Sequence, residues 1–131
     1  MGIFDTVKEA FSSSGRADFW NDLDNISQIE AAILASEHRP QLIYKHSSRC
    51  SVCFFAKKQI EEIPETIREQ LDLYFVDVIG WREVSDAIAE EFSITHESPQ
   101  LLIIYDREVV WHGSHREIQS DMITDKLREH L

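Results

Sequence analysis

The stretch Gln41-Leu42-Ile43-Tyr44-Lys45-His46-Ser47-Ser48-Arg49-Cys50-Ser51-Val52-Cys53 decides how this chain folds. Gln41 to Lys45, directly after Pro40, is a short apolar run of the kind that forms a buried strand. Beyond it, Val52, Phe55, Ala56, Ile60 and Ile63 predict the inner stripe of a helix, so Cys50 and Cys53 stand where a strand hands over to a helix. That placement has a chemical purpose. A helix N-terminus offers unpaired N–H groups and a partial positive charge, which favour a thiolate over a thiol. Arg49 adds a full positive charge beside Cys50. Because the thiolate is the attacking species, Cys50 is the expected nucleophile. Cys53, one turn further in, is close enough to form a disulfide and is the expected resolving thiol.

The rest of the sequence holds no other cysteine. A disulfide-stapled secreted domain scatters its cysteines, whereas a lone Cys-x-x-Cys beside a βαβ pattern is a redox signal. The 131 residues fit one domain with a core of its own. A net charge of −11 argues against nucleic acid and against an anionic membrane surface as partners. No run is apolar enough to cross a membrane, and the N-terminus lacks the basic start and apolar core of a signal peptide. Met1-Gly2 with Thr6 matches the loose myristoylation pattern, but Ile3, Phe4, Val7 and Phe11 read better as a short amphipathic helix. The cytoplasm is the expected location.

Working outward, Ser12-Ser13-Ser14-Gly15 breaks the chain, dividing it into an N-terminal segment and serine linker (1–16) and a compact domain (17–131). Ile26, Ile29 and Ile33 recur at helical spacing ahead of the buried strand. Pro64 should end or kink the cysteine helix, or start a second segment. Leu73 to Ile79 predicts a central strand, and Val84, Ala87, Ile88 and Phe92 the next helix. Leu101–Tyr105 and Val109–His112 predict a hairpin joined by Asp106-Arg107-Glu108 without the usual glycine. Ser120 is the expected cap of a last helix turning Ile123, Leu127 and Leu131 inward. The order is that of the thioredoxin fold: α/β, a central mixed sheet flanked by helices, here with a short N-terminal helix appended.

In that fold a cis-proline precedes the third core strand and faces the cysteines, where exposed backbone groups let a substrate chain pair beside the reactive sulfur. Ser98-Pro99 occupies the place. Ser47 and Ser48 are expected to cap the helix, while His46 is open to a structural or a functional role. His46 and His96 with the two cysteines would make a metal site only at unusual spacing, so no metal is expected. Trp20, Trp81 and Trp111 read as core or edge packing rather than a ligand platform.

Three blocks, Lys45-His46-Ser47-Ser48-Arg49-Cys50, His96-Glu97-Ser98-Pro99-Gln100 and Val110-Trp111-His112-Gly113-Ser114-His115, carry a family likeness. Over roughly residues 19 to 131 the chain resembles the YtxJ-type bacilliredoxins, thioredoxin-fold proteins linked to the low-molecular-weight thiol bacillithiol. The resemblance implies that Cys50 takes bacillithiol from S-thiolated client proteins and that a second thiol clears the adduct. It implies no bound cofactor, with bacillithiol or another low-molecular-weight thiol as co-substrate. The malate group of bacillithiol calls for local positive charge, from Arg49 or Lys45, or more distantly from Arg82 or Arg116. Family members often carry proline after the active cysteine and serine in the fourth position. Ser51 and Cys53 stand there instead, so an internal Cys50–Cys53 disulfide is open to this chain.

Two other readings remain. One is a general dithiol reductase of protein disulfides with a flavin-dependent reductase as partner, although the Trp-Cys-Gly-Pro-Cys motif of general thioredoxins is missing. The other is a redox-sensing binding protein switched by the Cys50–Cys53 bond. The candidate site thus comprises Cys50 and Cys53 for exchange, with Arg49, Ser98, Pro99 and His46 for substrate binding.

Overall fold

The computed structural model describes residues 19–131; the amphipathic segment, the serine linker and the domain boundary at 17 lie outside the described residues. The chain runs β1 (Trp20–Asp22), α1 (Ser27–Ala35), β2 (Gln41–His46), α2 (Ser51–Glu61), α3 (Glu65–Arg68), β3 (Asp72–Asp77), α4 (Arg82–Phe92), β4 (Gln100–Tyr105), β5 (Glu108–Ser114), a 3-10 turn (His115–Glu117) and α5 (Ser120–Arg128). The strands form one five-stranded sheet in the order β1-β3-β2-β4-β5. β1 and β2 pair with β3 in parallel, while β4 is antiparallel to both β2 and β5. The sheet is therefore mixed, as alternating strands and helices followed by a hairpin predict.

β2 lies mid-sheet and all six of its residues are buried. Its side chains alternate between two cores, as period-two geometry requires. Leu42 and Tyr44 join Ala56, Ile60, Ile123 and Leu127 in one core; Ile43 joins Ile29, Ile33, Val84 and Ile88 in the other. Leu101 and Ile103 of β4 divide from Leu102 and Ile104 in the same way. Burying both faces fixes the register, since a one-residue slip would exchange the two sets.

The structure corrects several expectations. β1 was not foreseen, because three residues show no periodicity; Trp20 is held there by an Nε1–H bond to Glu61 Oε2 (2.8 Å) and by edge packing on Phe75. Ile26 precedes α1 and is exposed, so the inner stripe of that helix is Ile29, Ala32 and Ile33. In α2 the buried positions are Cys53, Ala56 and Ile60, continued by Ile63, and Phe55 points into solvent. Cys53 thus takes the inward place that the apolar pattern gave to Phe55. Pro64 both ends α2 and stands just before α3. Ser120 is the first residue of α5, not its cap: Gln119 holds the cap position, and the Ser120 N–H donates to Gln59 Oε1 at 2.9 Å. Leu131 lies beyond α5 and is exposed.

The glycine-free hairpin is present. Asp106 and Arg107 both adopt positive φ, 50° and 71°, as a two-residue turn of this hand demands. Its cost is offset by the end of α1. The Asp106 N–H donates to the Ser36 carbonyl (2.8 Å), the Arg107 N–H to Ser36 Oγ (2.9 Å), and the Arg107 guanidinium pairs with Glu37 (2.8 Å).

Candidate active site

The cysteines lie at the C-terminal end of β2, where the chain turns into α2. Cys50 has extended backbone angles (φ −122°, ψ 116°) and holds the N-cap position, so the first turn of α2 rises from it. Its thiol is partly exposed, and that of Cys53 is buried. Partial burial pushes the Cys50 thiol up, but the Cys53 thiol and the N–H groups of Cys53 and Val52 face its sulfur and outweigh that penalty. The Cys50 thiol therefore lies below the ordinary cysteine range. These donors are the helix-terminal N–H groups that the strand-to-helix placement anticipates. No shift traces to Arg49, which is exposed and makes no ion pair among the described residues.

Cys53 is held oppositely. Burial pushes its thiol up, and the neighbouring Cys50 sulfur adds to the rise; contacts from Ser98 and Ser47 offset part of it. The Ser47 N–H donates to Cys53 Sγ at 3.4 Å, and Ser98 Oγ stands 3.5 Å from the same sulfur. Neither Ser47 nor Ser48 caps α2. Ser47 instead turns its Oγ to accept from the Arg49 N–H (3.2 Å), which curls the loop and aims its own N–H at Cys53.

Ser98–Pro99 is cis, and Pro99 is buried. The Pro99 carbonyl accepts from the His115 N–H at 3.0 Å, so it is not free for a substrate strand. The Ser98 backbone N–H and C=O make no backbone bond among the described residues. His46 is buried among Tyr44, Phe54 and Phe75, with Nδ1 3.0 Å from Tyr44 Oη. Tyr44 Oη donates to the Cys53 carbonyl at 2.6 Å, and burial raises its hydroxyl far above the usual phenol range. Sequence reading gave Tyr44 no role: a tyrosine in an apolar strand signals packing, and its bond to the Cys53 carbonyl appears only when α2 folds back over β2.

Lys45, a candidate for carboxylate binding, is wholly buried on the opposite face of β2 and is unavailable to a ligand. His96 is engaged with Lys45 and Ser85, away from the sulfurs, and no group of three or more metal-ligating side chains occurs among the described residues. Beside the cysteine turn runs a groove of about 670 Å³ lined by Val52, His115, Arg116, Gln119 and Met122 with Ser114 and Glu117. Of these, the sequence reading gave only Arg116 a ligand-binding role. The others come from α2, β5, the turn after it and the start of α5, whose convergence no local pattern encodes. No helix among the described residues is long and apolar enough to cross a membrane.

A thiol pair at a helix start, over a loop carrying a buried proline on a mixed sheet of this order, defines a thioredoxin-fold protein of the thiol-oxidoreductase class. Residues 21–123 match the family described as monothiol bacilliredoxin BrxC, and the chain belongs to that family. Among solved structures, the chain is 28% identical to one described as a candidate oxidoreductase with a thioredoxin fold, at a TM-score of 0.72 over 82% of this chain and 93% of that one. Thioredoxins share the fold at lower identity. The Fasciola hepatica protein is 19% identical with a TM-score of 0.66 over 85% of this chain and 99% of its own. NaTrxh of Nicotiana alata is 18% identical with a TM-score of 0.68, over 90% and 97%.

Proposed function

We propose that this protein removes bacillithiol, or a low-molecular-weight thiol like it, from client proteins that carry it as a mixed disulfide. The observation that supports this reading is the contrast within one helical turn. Cys50 is accessible and held toward thiolate, while Cys53 is buried and held toward thiol.

The Cys50 thiolate attacks the bacillithiol sulfur of the mixed disulfide. A Cys50–bacillithiol bond forms, the old sulfur–sulfur bond breaks, and the client leaves as a thiolate that takes up a proton. The adduct is then cleared in one of two ways. A second low-molecular-weight thiol attacks it and leaves as a symmetric disulfide, or the Cys53 thiolate attacks Cys50 and releases bacillithiol. The second route leaves a Cys50–Cys53 disulfide that needs two electrons from a dithiol or flavin-dependent reductase. No bound cofactor takes part. The unpaired Ser98 backbone groups dock the client chain, with Pro99 shaping the loop. His46 supports the turn through Tyr44, and exposed Arg49 meets the carboxylates of the thiol. Such exchange belongs in the reducing cytoplasm.

Cys53 beneath Cys50 also favours a second reading, dithiol reduction of ordinary protein disulfides. One experiment separates the readings. Reduced protein is mixed with a bacillithiolated client, and intact mass follows the adduct from client to Cys50, with glutathionylated and coenzyme A-modified clients in parallel. The expected result is many turnovers in the presence of free thiol, with bacillithiol preferred. Equal rates on a disulfide-bonded client favour the general reductase. A single stoichiometric oxidation without turnover favours a redox sensor, and a client that keeps its adduct overturns the proposal.

A further inference from the structure

The face of β2 turned away from the sulfurs carries a polar cluster that the exchange chemistry leaves unused. Lys45 has no solvent exposure, and among the described residues no carboxylate lies within ion-pair distance of it. Its Nζ donates to the Ser85 carbonyl of α4 at 3.0 Å and stands 3.3 Å from His96 Nδ1. Ser85 Oγ stands 2.9 Å from the same Nδ1. An ammonium can only donate, so with Lys45 charged His96 Nδ1 must be the acceptor and the ring proton must sit on Nε2. His96 is pushed toward the neutral form by burial, by Lys45 and by Arg82, in keeping with that role.

A buried amine without a direct ion pair is costly, and burial, only partly offset by Asp86, brings Lys45 down to about 8. What the amine holds is the segment leading into the substrate loop. His96 is followed by Glu97, Ser98 and Pro99, and the far end is closed by Gln100, whose Nε2 donates to the Thr95 carbonyl at 2.9 Å. The loop is thus fixed at its base by Gln100 and on its flank by His96. Its tip presents Ser98 to Cys53.

We propose that Lys45, acting with Ser85 through His96, is a positioning residue of the thiol site that sets where Ser98 stands over the Cys53 sulfur. The role rests on the exchange reading for its purpose, but its test does not need turnover. The charged groups facing Lys45 are Arg82 and Asp86 from α4 and His96 from the loop; its register partners on the neighbouring strands, Val76 and Gln100, are uncharged.

The test is a titration of the Cys53 Cβ signal by NMR in the reduced full chain. Wild type is compared with Lys45→Met, His96→Phe, Ser98→Ala and the double variant Lys45→Met/Ser98→Ala. Ser98 helps to hold the Cys53 thiol down, so a loop that drifts should let it rise. Lys45→Met and His96→Phe should each raise the Cys53 midpoint, lowering its thiolate fraction at neutral pH by about threefold to tenfold. In the Ser98→Ala background Lys45→Met should add less than about twofold, because residues that act through one contact are not additive. Alkylation of Cys50 at neutral pH should stay within about twofold throughout. His96→Phe keeps the proposal testable if Lys45→Met fails to fold. An unmoved Cys53 midpoint in the folded variants overturns it, as does a Lys45→Met effect that persists in full without Ser98. Failure of the exchange reading would show instead as an intact client adduct, with these titrations unaffected.

Discussion

Around Cys50 the turn is open: Ser48, Arg49 and Ser51 are all exposed, and the sulfur is met by donors of its own helix. Around Cys53 it is closed. Three other segments reach that residue, with Tyr44 on its carbonyl and Ser47 and Ser98 on its sulfur. The rim is built from its own helix, whereas the floor draws on β2, the loop after it and the Ser98 loop. This division suits two thiols with different tasks. An attacking thiol needs access and a favoured thiolate, whereas a resolving thiol should stay protonated and sheltered until an adduct forms beside it.

The most severe way to break the contrast is to remove the rim sulfur. Cys50→Ser should reduce removal of the low-molecular-weight thiol to the background rate, as followed by intact mass of the client. Cys53→Ser should leave the first transfer near wild type and stop the internal second step, so a Cys50 mixed disulfide accumulates in the absence of free thiol. A neutral-pH alkylation rate that depends on Cys53 and ignores Cys50 would reverse the assignment.

The same division explains what could be read from the sequence. The rim could be read because its parts are adjacent: strand, loop, Cys50 and helix start follow one another within a dozen residues or so. The floor could be read only in part. Ser98 and Pro99 were found because the order of elements puts a loop there, yet Ser98 meets Cys53 across 45 positions. Tyr44 and Lys45 sit side by side in a strand buried on both faces, which erases the alternation that would have assigned one to each side. For that reason the sequence leaves Lys45 beside Arg49 among the candidate ligand-binding cations, although its side chain is buried. Three residues of β1 are too few to show a period. Phe55 reads as inward because it is aromatic and three residues from Val52, although Cys53, three and seven residues before Ala56 and Ile60, fits the stripe better.

Smaller effects sharpen the contrast. The Cys53 thiol is one of the donors that hold Cys50 down. Cys53→Ala should therefore move the Cys50 alkylation profile to higher pH, while Cys53→Ser, which keeps a donor, should move it less. Tyr44→Phe leaves the Cys53 carbonyl without its 2.6 Å donor in a buried setting. The expected loss is about 1–2 kcal/mol in urea unfolding, with little change in Cys50 alkylation. Lys45 adds a pH dependence of known sign. The folded protein gives up this proton near pH 8, while the unfolded chain keeps it to about 10.5. Between those values the unfolded state binds more protons, so stability rises with pH. The stability of wild type relative to Lys45→Met should climb through that window and level off on either side of it.

The smallest expected effect belongs to Arg49, and it asks whether the rim reads its ligand by charge. Under the proposed function, the carboxylates of bacillithiol need a cation on a chain of net charge −11. Two arginines are the candidates. Arg49 directly precedes Cys50 in the chain, and Arg116 lines the groove that runs past Val52. Both are exposed, so each contact is worth roughly 0–1 kcal/mol. Arg49→Ala should slow attack on bacillithiol mixed disulfides about twofold to fivefold more than attack on a neutral aromatic disulfide. Any effect of Arg49 on the thiolate itself changes both substrates alike, so their ratio isolates the carboxylate contact. The ratio should shrink toward one in high salt, because screening weakens an exposed charge pair. Arg116→Ala measured in the same way locates the contact. A ratio that changes only there would move carboxylate recognition from the cysteine loop into the groove, leaving Arg49 outside substrate recognition.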